Sequence, residues 1–102
     1  MIIVSQDKEN ITNFENIIYI DFEKNSFDKY VIEAYYGKED DDYVWLGEYE
    51  SEKKAKDILK QIARYYRMYQ GIKYCDNKVK IGILQEIDKA GQDAFIYTMP
   101  ED

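Results

Sequence analysis

The chain has no histidine, a single cysteine and a single proline in 102 residues. Without histidine it lacks the commonest general base near neutral pH, and with it every histidine-dependent triad or metal motif. Cys75 is alone, so neither a disulfide within the chain nor a four-cysteine zinc site can form. Nor does Cys75 have an imidazole to activate it, which favours a packing role over a nucleophilic one. Glycine is sparse too: Gly37, Gly47, Gly71, Gly82 and Gly91 match neither a phosphate-binding loop nor a dinucleotide fingerprint. No apolar run approaches the ~18 residues of a membrane-spanning helix. The opening MIIVSQDKENI has no basic n-region and an apolar run of only three residues, which argues against a secretory leader. These absences lead to the expectation of a non-enzymatic protein of the cytoplasm, without cofactor or metal and with no membrane partner.

What is present is enough for one domain spanning residues 1–102. Hydrophobic residues make up 45% of the chain, so a core can form and offset the conformational entropy of folding. The first half reads as strands separated by polar turns: IIV at 2–4, IIYIDF at 17–22, YVIEAYYG at 30–37 and YVWLGEY at 43–49. Their close spacing favours hairpin connections between the second, third and fourth. Ser51 suits a helix N-cap and Gly71 a helix stop, which predicts one long helix over 52–70. At 100° per residue, Ala55, Ile58, Leu59, Tyr65, Tyr66 and Tyr69 fall within about 60° of Ile62, whereas Lys53, Lys56, Lys60, Arg64 and Arg67 fall at about 120° or more. One face is therefore apolar and the other basic. Beyond Gly71, residues 78–90 read as a second short helix, with a strand as the alternative, and AFIYTM at 94–99 as a last strand ended by Pro100. The expected class is α+β, an antiparallel sheet of four to five strands with the long helix across one face.

Charge divides along the chain. Residues 1–50 carry thirteen acids and four bases, net −9; residues 51–73 carry two acids and seven bases, net +5; the rest is net −3. A polar helix face filled with lysine and arginine is usually a solvated face, and the basic stripe is a secondary candidate surface only. A whole-chain pI of about 4.6 argues against direct nucleic-acid binding. The acidic run Glu39, Asp40, Asp41 and Asp42 offers hard oxygen ligands, yet lacks the alternation and central glycine of a calcium loop, and reads as a hairpin tip. Tyrosine is over-represented, with eleven in the chain, most of them readable as padding of a small core and its rim and the remainder as recognition area. Adjacent strand residues point to opposite sheet faces, so only one of Tyr35 and Tyr36 can face the helix, while Tyr43, Trp45 and Tyr49 share a face by alternation. Tyr and Trp contribute rigid amphipathic area to recognition surfaces. The candidate docking surface is therefore Tyr35, Tyr36, Glu39, Asp40, Asp41, Asp42, Tyr43 and Trp45, where carboxylates can imitate a phosphate backbone.

Three islands, MIIVSQD at 1–7, LGEYESEKKAKDIL at 46–59 and AFIYTMPED at 94–102, resemble a group of small proteins encoded by phages and prophages of Gram-positive bacteria. That group opens with a Ser-Gln-Asp/Asn strand, places a Tyr-x-(Ser/Thr)-Glu turn before a helix and ends in an aromatic strand with a Pro-acidic tail. The resemblance implies a genomic setting and no reaction. Small acidic phage proteins often bind and block host machinery, CRISPR effectors included, so the expected partner is a host protein in the bacterial cytoplasm. Two alternatives stand beside it: an assembly protein that forms a homodimer through its sheet tyrosines, and a nucleotide sponge in which tyrosines stack the base and helix arginines hold phosphates.

Overall fold

The structure, a computed structural model, describes residues 1–74 and 96–102. Among these residues six strands form two three-stranded sheets, which share a core with one long helix. The central sheet is an antiparallel meander of β3 (Tyr19–Lys24), β4 (Tyr30–Tyr35) and β5 (Tyr43–Tyr49), in that order. The smaller sheet has β1 (Ile2–Val4) in its middle, antiparallel to β2 (Ile11–Asn13) and parallel to β6 (Ile96–Thr98). The class is α+β as expected, but the single sheet of four to five strands is corrected to two sheets of three. Short, locally connected hairpins hold β3 to β5 together; β1 and β6 come from opposite ends of the chain, and nothing local dictates which edge they choose. The three residues ITN of β2 were missed because so short a run carries too little β-propensity to separate from a turn.

Helix α1 (Glu52–Tyr74) begins where its cap predicts. The Ser51 hydroxyl accepts from the Lys54 amide at 3.1 Å, and Glu52 places a negative charge in the first turn, where the helix dipole favours it. The helix continues through Gly71, contrary to the expected stop. A glycine within a helix costs only about 1 kcal/mol, and no proline follows to end it. The expected second helix over 78–90 and Cys75 lie outside the described residues.

Alternation in the central sheet turns Ile32 and Ala34 of β4 and Leu46 of β5 toward α1, where they meet Ala55, Ile58 and Ile62 in one buried cluster. Met1, Ile3, Tyr97 and Met99 of the smaller sheet join the same cluster, so both sheets share one core. Side chains the size of Ile32, Leu46 and Ile58 each contribute about 1.5–3 kcal/mol when removed from water. A bulge sits in the β4–β5 ladder: Ile32 pairs with Gly47 and Glu33 with Trp45, leaving Leu46 as the extra residue. Leu46 and Gly47 are consequently both buried, and every residue after them changes side. Tyr49 therefore lies in the core and does not share a face with Tyr43 and Trp45, which corrects the alternation expected from spacing. Its hydroxyl donates to the Pro100 carbonyl at 2.7 Å. Gly47 is required there, since a Cβ would lie 2.8 Å from the Tyr49 ring.

Gln6 joins the two sheets. Its amide donates to the Leu46 carbonyl at 2.7 Å, and its side chain then repeats the pattern: Oε1 accepts from the Glu48 amide at 2.8 Å while Nε2 donates to the Glu48 carbonyl at 3.1 Å. The same Nε2 donates to the Glu101 carbonyl at 2.7 Å. A side-chain amide thus takes the place of a neighbouring strand along β5 and ties the C-terminal tail to it. Ser5 and Asp7 shape the turn that presents Gln6: Ser5 Oγ donates to Asp7 and accepts from the Asn10 amide, and Asp7 also accepts from the Glu9 amide. The Ser-Gln-Asp segment therefore has a structural use in this chain. Gln6→Ala should cost about 2–3 kcal/mol, since β5 main-chain groups lose their partners, read as a lower urea midpoint at unchanged m-value. Gln6→Glu should cost more, because a carboxylate cannot donate to the Glu48 and Glu101 carbonyls. A loss below about 0.5 kcal/mol in both would remove Gln6 as the tie between the sheets.

Candidate docking face

The side of the central sheet turned away from α1 is built by the same alternation that builds the core. Register places Tyr19, Tyr35 and Tyr43 in one row across β3, β4 and β5, with Asp21, Glu33 and Trp45 in the next. Glu23, Val31 and Glu48 form a third row. Tyr19 and Tyr43 are about half exposed, at 49% and 43%. The ring of Tyr35 lies between theirs, stacked on Tyr19 at 4.5 Å between centroids with planes 11° apart and tilted against Tyr43 at 5.7 Å. Each such contact fixes ring orientation and adds about 0.5–1.5 kcal/mol beyond burial. The row is a rigid aromatic strip, with one ring holding the other two.

The hairpin tip borders this strip. Tyr35 and Tyr43 form the last ladder pair before the loop, and the Tyr36 amide donates to the Asp42 carbonyl at 3.0 Å to close it. Glu39, Asp40 and Asp41 are exposed at the tip, whereas Asp42 turns inward and accepts from the Glu39 amide through Oδ2 at 3.3 Å. Gly37 permits this, because a Cβ at that position would meet Asp42 Oδ2 at 2.1 Å. Tyr36 lies just beyond β4 and is 51% exposed, and Tyr35 lies on the outer face, so neither ring is buried beneath the helix. The strand ends one residue too early for Tyr36 to reach the core. Of the sequence-derived candidates, Tyr35, Tyr43 and Trp45 lie on the face, the carboxylates of residues 39–42 lie along its end, and Tyr36 stands beside it. Among the described residues no three Asp, Glu, His or Cys side chains converge closely enough to hold a metal ion.

Tyr19, Asp21 and Glu33 complete the face. Register sets Asp21 directly opposite Glu33, which spacing along the chain does not reveal. The signal that would have found Tyr19 is its period-two relation to Asp21 and Glu23. Like charges directly across a ladder are unfavourable. Burial, and then the nearby carboxylates Glu23 and Asp21, push the Glu33 carboxyl above its ordinary range, opposed by a hydrogen bond at 3.4 Å from the Tyr35 hydroxyl. Burial, followed by the Glu33 charge, pushes the Tyr35 hydroxyl up to about 12, so it remains a donor. The lysines of β3 and its turns are engaged elsewhere, Lys24 with Asp28 at 3.3 Å and Lys29 with Glu50. None of the described ion pairs involves Asp21, Glu23 or Glu33.

The basic stripe of α1 lies on the other side of the molecule. Lys53, Lys56, Lys60, Arg64 and Arg67 are all exposed, as the helical periodicity predicts. Lys53 pairs with Asp57 at 3.5 Å and Lys56 with Glu52 at 3.4 Å, the one-turn spacing that supports a solvated helix by a few tenths of a kcal/mol. The stripe thus behaves as a wet helix surface in its first half. Because α1 covers the inner face of the sheet, the exposed tyrosine row of the sheet and Arg64 or Arg67 face away from each other. Among the described residues no helix is long and apolar enough to cross a membrane.

Comparison with family models, with curated proteins and with solved structures finds no match.

The raised Glu33 carboxyl has a definite sign. The folded state holds this proton more tightly than the unfolded chain, so ionised Glu33 lowers stability at neutral pH, and the loss disappears as pH falls through the ordinary carboxylate range. Glu33→Gln should therefore raise Tm near pH ~7 by about 1–8 °C, the equivalent of a cross-strand pair of about 0.2–1 kcal/mol, with no gain below pH ~3.5. A lower Tm at neutral pH would mean that the carboxylate is stabilising after all.

Proposed function

We propose that the chain is a non-enzymatic phage or prophage accessory protein that binds and blocks a nucleic-acid-handling host protein, a defence nuclease of the CRISPR type in the bacterial cytoplasm. The observation that carries this reading is the outer face of the β3–β4–β5 sheet: three ordered tyrosine rings beside carboxylates that no described cation neutralises. Aromatic area gives contact energy at small entropic cost, and a field of one sign steers an oppositely charged partner. The channels of nucleases are lined with lysine and arginine for phosphate, so a rigid acidic face can occupy them in place of nucleic acid. Direct binding of this chain to nucleic acid runs against the same charges. A homodimer through this face is disfavoured for the same reason, since carboxylates would meet carboxylates.

The reading is tested in a bacterial host whose CRISPR nuclease restricts a phage. Expression of the chain should restore phage plating, and the Tyr19→Ala/Tyr43→Ala double variant should lose at least about tenfold of that rescue, with its fold verified by circular dichroism. Lys60→Glu/Arg64→Glu on the helix should retain the rescue. Unchanged plating with the native chain, together with no nuclease recovered on it from host lysate, would overturn the proposal.

A further inference from the structure

The tyrosine row and the carboxylate row are one ladder step apart. Tyr35 and Glu33 lie two residues apart on β4 and on the same face, about 7 Å along the strand, and the Tyr35 hydroxyl reaches Glu33 Oε2 at 3.4 Å. On β3, Tyr19 and Asp21 repeat this arrangement in register, ring opposite ring and carboxylate opposite carboxylate. By register, the stacked Tyr19 and Tyr35 and the opposed Asp21 and Glu33 occupy the corners of one square, with Asp21 Oδ1 also accepting from the Phe22 amide at 2.7 Å. In the aromatic half Tyr35 is covered on both sides, which leaves the outer face of Tyr19 as the open π surface, and the other half carries two carboxylates. Trp45 closes the carboxylate row on the β5 side.

We infer that this square reads arginine: the docking surface accepts an arginine side chain of the partner, its guanidinium lying on the outer face of Tyr19 while its N–H edge bonds to the carboxylates of Asp21 and Glu33. The inference rests on the sheet face being the docking surface and specifies what that face selects. A flat, weakly hydrated guanidinium satisfies both halves of the square at once, through ring stacking and through forked hydrogen bonds to carboxylates. A lysine ammonium is a strongly hydrated point charge and satisfies only the electrostatic half. A bound cation also relieves the like-charge pair across β3 and β4, so the face binds as it loses an internal repulsion. Phosphate ligands are excluded by the sign of the charge.

The probes are end-blocked tetra-arginine and tetra-lysine peptides, titrated by calorimetry at an ionic strength of about 0.15 M, where exposed charge is already well screened. The arginine peptide should bind at least about tenfold more tightly, a difference of about 1.4 kcal/mol that lies within the range of cation–π and bidentate contacts. Asp21→Asn/Glu33→Gln and Tyr19→Ala should each reduce that preference, the first weakening both peptides and the second only arginine. Binding should weaken as Glu33 takes up its proton. Asp21 and Glu23 on β3, Tyr35 on its own strand and Glu48 on β5 are the other titratable groups facing it. Equal affinity for the two peptides, or no binding of either, would overturn the arginine inference and leave the docking reading to the plating experiment. Binding unaffected by Asp21→Asn/Glu33→Gln would place it elsewhere and overturn it as well. Sedimentation supplies the remaining outcome: self-association abolished by Arg64→Lys/Arg67→Lys would make a second copy the source of the arginine, and the foreign partner would be wrong.

Discussion

The ladder between β4 and β5 governs both sides of the molecule. Before its bulge, Tyr43 and Trp45 stand on the outer face with Tyr35 and Glu33; after it, Tyr49 has moved inside. One extra residue, Leu46, makes that change, and Gly47 makes room for the ring that follows. Without the bulge, strict alternation would keep Tyr49 beside Tyr43 and Trp45, leaving the core without a side chain that is 2% exposed and the tail without its bond at Pro100. The bulge thus decides which β5 residues beyond it join the core, while the face before it follows plain alternation.

Two sheets that share a core still need a reason to keep their edges together. Gln6 supplies it by pairing with β5 through main chain and side chain alike, while its second donor bond holds the C-terminal tail. This arrangement also covers main-chain groups of β5 on the side away from β4, an edge that would otherwise invite another strand. The segment most suggestive of a family signature, Ser5 to Asp7, is thereby used up in architecture. Its polar side chains are occupied by the turn and by β5, and none is left over for chemistry.

The outer face shows the opposite economy. Lys24 and Lys29 are paired with Asp28 and Glu50, and carboxylates opposite each other on β3 and β4 remain without a described ion-pair partner. Local choices that disagree with stability are uncommon in a small domain and tend to collect where a protein meets something else. The rings beside those carboxylates make the same point from the apolar side, since Tyr19 and Tyr43 are ordered by Tyr35 while half of each remains exposed. A small domain can carry the repulsion because the shared core on the far side of the sheet is continuous from Met1 to Met99.

Periodicity alone was enough for α1, its cap at Ser51, its buried stripe through Ile62 and its solvated lysines, because a helix face depends only on residues within a turn of one another. It was enough also for the meander of β3, β4 and β5, whose partners are adjacent in the chain. Tertiary structure decided the rest. It divided the strands into two sheets, added β2, extended α1 beyond Gly71, put Tyr49 inside and Tyr36 outside, and set Asp21 against Glu33. Each of these depends on register or on contacts between distant segments. A one-residue slip or bulge exchanges the faces of a strand without altering its sequence, so composition and spacing named most of the residues of the face and only the ladder could arrange them.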